Sequence, residues 1–394
     1  MAKKILVIDD SALMRRVISD IINEGNEYEV AAIAKDGLEG FDLIVSNPNL
    51  YSAIILDINM PKMNGLELLQ KLQKNHIEQT VIVVSTVAKE TIQALEYGAF
   101  DFVTKPENYF ETKGNDFKKR IHDMLNVATS SKASVERTRS ATDVKPSGYS
   151  GSRLTSGRTS LISSEKKASI DAISALRRRN EINDTIPPKV NPSRFTNIKS
   201  GSKKVVALAC STGGPKSLQQ VIPMLPKNLD AGVVLVQHMP AGFTASLAAR
   251  LNEISDINVK EGADGDVIQK GWVYIAPGGK HIKVVKKASE YVIKLNDEPP
   301  IDGLRPCANV MYKSLVQCNY DEITCVVLTG MGADGTEGIK TLSASHKKIH
   351  VIAQDEDSCV VYGMPKAIAQ TGLVDEVVPL NKIAETITKN VGVS

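Results

Sequence analysis

Three side chains with nucleophilic or acid–base chemistry stand at the ends of apolar runs in the C-terminal half. Ser211 follows VVALAC, His238 follows GVVLVQ and Asp334 follows CVVLTGMGA. A serine hydroxyl is hardly ionised at neutral pH and needs a base. An imidazole can serve, and a carboxylate can fix its tautomer and stabilise the imidazolium. Ser211 lies in CSTGGP, where Gly213 and Gly214 permit a sharp turn and Pro215 suits a first helical position. A hydroxyl there is lifted out of the core toward N–H groups at a helix N-terminus, which can stabilise an oxyanion. His281, in APGGKH, competes for the role of base, and spacing leaves both histidines as candidates. Asp334 also reads as a stabiliser of the Gly332–Gly335 turn or a helix cap. Cys210 is expected to pack, because strand alternation turns it away from the side of Ser211. Ala209 stands where a G-x-S-x-G elbow has its first glycine, which disfavours an ordinary α/β-hydrolase. STGGP also lacks the glycine spacing of a dinucleotide-binding loop.

A second set occupies the N-terminal third. Asp9 and Asp10 end the first apolar run, Asp57 the third and Ser85 the fourth, and Lys105 lies just past the fifth. Three converging carboxylates need a divalent cation, and oxygen ligands suit Mg²⁺. Such a metal neutralises a phosphoryl group arriving on a carboxylate, and a lysine and a hydroxyl can then hold the phosphoryl oxygens. The bland alternative is that the two aspartates cap the following helix and Lys105 is a solvated charge.

The elements that must position these residues follow from hydrophobic pattern. Candidate strands are Lys3–Ile8, Glu29–Ala34, Ala53–Leu56, Val81–Ser85 and Asp101–Val103. Helical stretches lie near Ala12–Asn23, Leu38–Val45, Leu66–Gln73 and Lys89–Tyr97, and Asp116–Val127 closes the unit. Regular alternation predicts a (βα)5 unit with a parallel sheet, whose ligand site lies beyond the carboxyl ends of the strands. In the C-terminal region Val205–Ala209, Gly232–Val236, Trp272–Ile275, Cys325–Leu328 and His350–Ala353 predict a second, larger, doubly wound and mainly parallel α/β/α sheet. The same edge rule puts Ser211, His238 and Asp334 on one rim.

Between these regions the composition changes. Residues 130–200 carry 14 Lys/Arg against 6 Asp/Glu, and the rest of the chain is left with about −5 of a net +3. The folded parts therefore do not look like nucleic-acid binders. The segment is rich in Ser and Thr and too poor in apolar side chains to offset its ordering entropy. It reads as a flexible tether, with one island at Ala168–Arg179 that has helical spacing. The expected division is 1–125, a first α/β domain; 126–200, a basic linker; and 201–394, a catalytic domain. No apolar run is long enough to span or insert into a bilayer, and the N-terminus enters a strand directly, so no signal peptide is expected. Five cysteines without a CxxC pair read as reduced thiols in a cytoplasmic protein.

IDDS at Ile8–Ser11, LDINMPKMNG at Leu56–Gly65, VST at Val84–Thr86 and FVTKP at Phe102–Pro106 resemble the receiver domain of two-component response regulators. The resemblance implies that Asp57 is the phospho-acceptor. It assigns metal binding to Asp9, Asp10 and Asp57, with Asn59 adding a backbone carbonyl. Lys105 becomes the phosphate-sensing lysine, Ser85 the switch hydroxyl and Phe102 the switch aromatic.

CSTGGP at Cys210–Pro215, QHMPAGFT at Gln237–Thr244, APGGKH at Ala276–His281, LTGMGADG at Leu328–Gly335 and AQDEDSCVVYGMP at Ala353–Pro365 look like the catalytic domain of chemotaxis protein-glutamate methylesterases. The whole chain is thus similar to a CheB-type response regulator. That likeness implies a triad of Ser211, His238 and Asp334, an oxyanion donor at the Met331 N–H and an active-site threonine at Thr212. The implied reaction is hydrolysis of glutamate γ-methyl esters on chemoreceptors with release of methanol, and slower deamidation of receptor glutamines. A chemotaxis histidine kinase is the implied phosphodonor, and no cofactor is implied for the esterase chemistry. Two departures stand in RPCANVMY, where Cys307 and Asn309 replace an expected Ser and Asp, and Cys210 replaces a commoner alanine. The competing readings are a receiver-controlled module that only docks on receptors, and an acyl-serine hydrolase for another ester or amide. An intact Ser211, His238 and Asp334 speaks against pure docking, and poor cleavage of small activated esters would separate a receptor-specific enzyme from a generic one.

Overall fold

The computed structural model describes residues 2–106, 114–141 and 204–394, with only the backbone for 131–141. The Ala168–Arg179 island lies outside the described residues. In the first region β1 (Lys3–Ile8), β2 (Tyr28–Ala34), β3 (Ala53–Leu56), β4 (Val81–Ser85) and β5 (Asp101–Thr104) alternate with α1 (Ala12–Asn23), α2 (Gly37–Ser46), α3 (Gly65–Lys74) and α4 (Ala88–Glu96). The strands pair in parallel in the order β2-β1-β3-β4-β5. Apolar runs such as AIIL in β3 are buried throughout because helices cover both faces. Ser11, Asp36 and Asn64 start α1, α2 and α3 by accepting N–H bonds from Met14, Glu39 and Glu67. Asp9 is therefore not the cap of α1; its Oδ1 accepts the Ser11 N–H at 2.9 Å.

The closing helix, α5 (Asn115–Ala141), overruns the expected end at Val127. Neither Gly nor Pro occurs from 128 to 141, so no residue there interrupts the helix.

In the second region β6 (Lys204–Cys210), β7 (Gly232–Gln237), β8 (Asn258–Glu261), β9 (Trp272–Ile275), β12 (Glu322–Val327), β13 (Ile349–Gln354) and β14 (Glu376–Val378) form one parallel sheet. Its order is β14-β13-β12-β6-β7-β9-β8, so the winding reverses between β12 and β6. A separate antiparallel hairpin, β10 (His281–Lys287) and β11 (Glu290–Asn296), stands beside it. The helices are α6 (Gly214–Val221), α7 (Phe243–Ile254), α8 (Ala308–Ser314), α9 (Thr336–Ala344), α10 (Met364–Ala369) and α11 (Leu380–Val391).

Strand alternation divides the core. Val206, Leu208 and Cys210 face one side of the sheet, and Val205, Ala207 and Ala209 the other. The first of these cores is continuous with the apolar face of the N-terminal sheet that holds Leu6, Ile8 and Leu56. The five cysteines are free thiols, four of them buried. Among the described residues no helix is long and apolar enough to cross a membrane.

Candidate active site

The acidic cluster forms where β1 and β3 lie side by side at the reversal of strand order. Carboxylate oxygens of Asp9, Asp10 and Asp57 come within 4.8 Å of one another. The Lys105 Nζ bridges them at 2.8 Å from both Asp9 Oδ2 and Asp57 Oδ2. Burial holds the Asp57 carboxyl above its ordinary pKa, Lys105 opposes this, and the Asp9 charge adds to it. Burial would lower the Lys105 ammonium, but Asp9 and Asp57 outweigh it and raise its pKa. This all-oxygen, net-anionic donor set fits a hard divalent cation such as Mg²⁺. Ser85 ends β4; its Oγ accepts the Val87 N–H at 3.1 Å and its carbonyl the Lys105 N–H at 3.0 Å. Asn59 sits two residues past Asp57 with an exposed side chain.

On the second rim, Ser211 leaves β6 and its N–H donates to the Thr329 carbonyl at 3.0 Å. Gly213 turns the chain into α6 with φ 76°, a left-handed conformation that glycine adopts without strain. Gly330 lies so close that an added Cβ would stand 2.8 Å from Ser211 Cβ. Only glycine allows the turn bearing Met331 to press against Ser211. Ser211, Thr212, His238 and Met331 line one cavity of about 260 Å³.

His238 follows β7, and its Nε2 lies 2.8 Å from Asp334 Oδ2. Burial opposes ionisation of Asp334, but the His238 ring and the N–H groups of Asn309 and Ala308 outweigh it and hold the carboxyl down at about 2. Against a carboxylate, which only accepts, Nε2 is the ring nitrogen that donates, and Nδ1 is the one left over for another partner. His281 does not share this carboxylate. It opens β10, is wholly buried, and places Nε2 3.1 Å from the Pro299 carbonyl.

Cys307 and Asn309, the two departures in RPCANVMY, stand behind Asp334. Asp334 Oδ1 accepts the Asn309 N–H at 2.9 Å, the Gly335 N–H at 2.9 Å and the Cys307 Sγ–H at 3.1 Å, while Oδ2 accepts the Ala308 N–H at 2.6 Å. The Asn309 side chain holds α9 by accepting from Gly335 and Gly338. Burial, then the Asp334 charge, pushes the Cys307 thiol up to about 12, so it stays a donor. The signal was the departure of RPCAN from its expected pattern, but its partner lies 25 or more residues away.

Asp101 carried no signal beyond its place at the start of a strand, whereas its neighbour Phe102 stood out in the sequence as the expected switch aromatic. Asp101 opens β5, and its Oδ2 accepts the N–H of Gly213, in the turn that follows Ser211, at 2.9 Å. Burial raises its carboxyl to about 6 against the pull of the Gly213 and Phe102 N–H groups. Next to it Phe102 stacks on Phe243 of α7, with ring centroids 5.1 Å apart and planes 4° apart. Arg250 of α7 grips Glu96 of α4, with Nη2 3.1 Å from Oε2. Asp101 and Phe102 thereby close one side of the cavity that holds Ser211.

Comparison with known proteins accounts for both regions. The response regulator receiver domain profile matches residues 5–112, and the CheB methylesterase profile matches residues 206–387. A protein-glutamate methylesterase/protein-glutamine glutaminase of Pyrococcus horikoshii is 39% identical over 393 residues, covering 98% of this chain and 93% of that protein. One of the same name from Desulfotalea psychrophila is 38% identical and covers 98% of both. The crystal structure of the Thermotoga maritima CheB methylesterase catalytic domain is 40% identical, covering 49% of this chain and all of that one with a TM-score of 0.46. The chain belongs to the CheB methylesterase family, in the form that joins a response regulator receiver domain to the esterase domain.

Proposed function

We propose that this protein is a phosphorylation-controlled protein-glutamate methylesterase acting on chemoreceptors. The observation that carries the chemistry is the ionised Asp334 carboxylate 2.8 Å from His238 Nε2, with His238 lining the same cavity as Ser211. Ser211 Oγ attacks the carbonyl carbon of a glutamate γ-methyl ester, and its proton passes to His238 Nδ1. The Met331 N–H and the turn after Ser211 hold the oxyanion, with Thr212 at its side; one such donor contributes about 3 kcal/mol of barrier lowering. The methoxide leaves with the proton from the imidazolium. Water then attacks the acyl-serine by the reverse sequence, giving glutamate and methanol. Receptor glutamines react at the same site with ammonia as product, more slowly because ammonia is the poorer leaving group. Changing the receptors' methylation in this way would serve chemotactic adaptation.

The receiver is the control. A histidine kinase of the chemotaxis system supplies the phosphoryl group, and Asp57 takes it. Asp9, Asp10, Asp57 and the backbone carbonyl of Asn59 would hold Mg²⁺, which supplies charge neutralisation to the incoming phosphoryl group. Ser85 and Lys105 then hold the phosphoryl oxygens. In the unphosphorylated chain Asp101 and Phe102 cover the Ser211 rim, and phosphorylation moves β5 and releases it.

The test is methanol release from methylated receptor membranes by the full chain and by Ser211→Ala, with and without a small-molecule phosphodonor and Mg²⁺. Release that depends on Ser211 and rises with the phosphodonor is expected. Release that persists in Ser211→Ala would move the nucleophile elsewhere.

A further inference from the structure

Gln237 is the last residue of β7 and Cys210 the last residue of β6, and the two are register partners. Each stands immediately before a proposed catalytic residue, His238 and Ser211. Gln237 is buried, with 1% of its surface exposed. Its Nε2 donates to two main-chain carbonyls, that of Ser211 at 3.0 Å and that of His238 at 3.2 Å. One primary amide thus ties the backbone of the nucleophile to the backbone of the base. The His238 N–H adds a third tie, donating to the Cys210 carbonyl at 3.2 Å.

The orientation of this amide is determined by its neighbours. Two carbonyls can only accept, so the NH2 end must face them and Oε1 must point the other way. A buried amide oxygen needs a donor. The Cys210 thiol is placed for this, with Sγ 3.0 Å from Oε1, while its other acceptor, the Val236 carbonyl, is 3.9 Å away. Burial pushes the Cys210 thiol pKa well above its ordinary value, so it remains an S–H donor. Gly214 completes the pocket: a Cβ there would collide with Gln237 Oε1. Packing alone asks none of this of residue 210.

We propose that Gln237 is a positioning residue that sets the spacing of Ser211 and His238, and that the Cys210 thiol keeps the Gln237 amide in that orientation. With alanine at 210 the buried Oε1 loses its donor, and the amide is free to rotate away from the two carbonyls. The inference rests on Ser211 and His238 being nucleophile and base.

The experiment compares full-length Cys210→Ala, Cys210→Ser and Gln237→Leu with the parent protein. Two readouts are taken: kcat and KM for methanol release from receptor membranes, and the rate at which a fluorophosphonate probe labels Ser211. Cys210→Ala should lower kcat roughly 3- to 10-fold at unchanged KM, the size expected for one hydrogen bond. Cys210→Ser, which restores a donor, should return to within about twofold of the parent on the same ground. Gln237→Leu should lower kcat on the order of 100-fold, as misplacement of reacting groups does. Labelling should slow in the same rank order. Equal behaviour of Cys210→Ala and Cys210→Ser, or a change confined to KM, overturns the proposal even if Gln237→Leu fails to fold. If the parent is labelled at Ser211 but releases no methanol, the functional reading fails, and the rank order of labelling still decides the positioning claim.

Discussion

The protein holds two buried carboxylates at equivalent places, each beyond a strand end at a reversal of strand order, and treats them oppositely. Asp57 is raised above its ordinary pKa and Asp334 is lowered to about 2. Burial opposes ionisation at both, so burial does not decide the outcome. The donors do. Asp334 is ringed by the N–H groups of Ala308, Asn309 and Gly335, a thiol and an imidazole. Asp57 has one backbone donor, Ile58, and one ammonium, Lys105, shared with Asp9. Asp334, the proposed orienter of the base, is solvated by fixed dipoles. Asp57, the proposed phospho-acceptor, is instead left among like charges and one counter-ion on a long stem.

The largest expected effect breaks the fixed site. Asp334→Asn keeps the shape but presents the wrong hydrogen-bond sense to His238, and kcat for methanol release should fall on the order of 10⁴-fold with little change in KM. A loss under tenfold would mean that the carboxylate does not orient the base. An intermediate effect tests the changing site. Asp57→Ala should leave basal release intact and abolish the increase caused by phosphodonor, an increase of roughly 5- to 150-fold for a coupling of ordinary size. Persistent stimulation would place the phospho-acceptor elsewhere.

The smallest effect probes the joint between the two. Asp101 has a pKa of about 6 where it is buried against Gly213, above the usual 3.8 of an aspartate in water. The closed form therefore binds a proton more tightly than the open form. Closure is strengthened as pH falls through about 6 and weakened as pH rises through it. The ratio of basal activity in Asp101→Ala to that in the parent should accordingly grow as pH is lowered from neutral toward 5, by at most about tenfold per pH unit for a single proton. Dividing one profile by the other removes every pH effect that the two proteins share. A ratio that is flat with pH would show that Asp101 does not latch the two domains.

The strands and their terminal residues were legible in the sequence because each is a short apolar run buried on both faces, and one polar residue follows it. That pattern placed Asp9, Asp57 and Ser85 on one rim and Ser211, His238 and Asp334 on another. Helix length was less legible: α5 runs to Ala141 because only glycine or proline would have marked an earlier stop. Of what joins the domains only Phe102 stood out, as the expected switch aromatic, and its partner Phe243 did not. The Asp101–Gly213 bond spans 112 residues and the Arg250–Glu96 pair 154, and the type of one residue does not name its partner. The partners of Cys210 were hidden for a related reason. Alternation correctly turned the thiol away from the Ser211 side, but the sequence does not display which atom of the neighbouring strand it meets.

The short strand β5 has a consequence for modularity. Asp101 and Phe102, which touch the esterase, and Lys105, which touches the acidic cluster, lie within five consecutive residues. In the proposed control, the message from one domain to the other has almost no distance to travel, and it travels through covalent bonds. Under that proposal, sensor and bolt are cut from the same piece of chain. A foreign receiver grafted here would need to carry the 101–105 segment as a cassette; without it, the graft could be phosphorylated normally and still leave the esterase unaddressed.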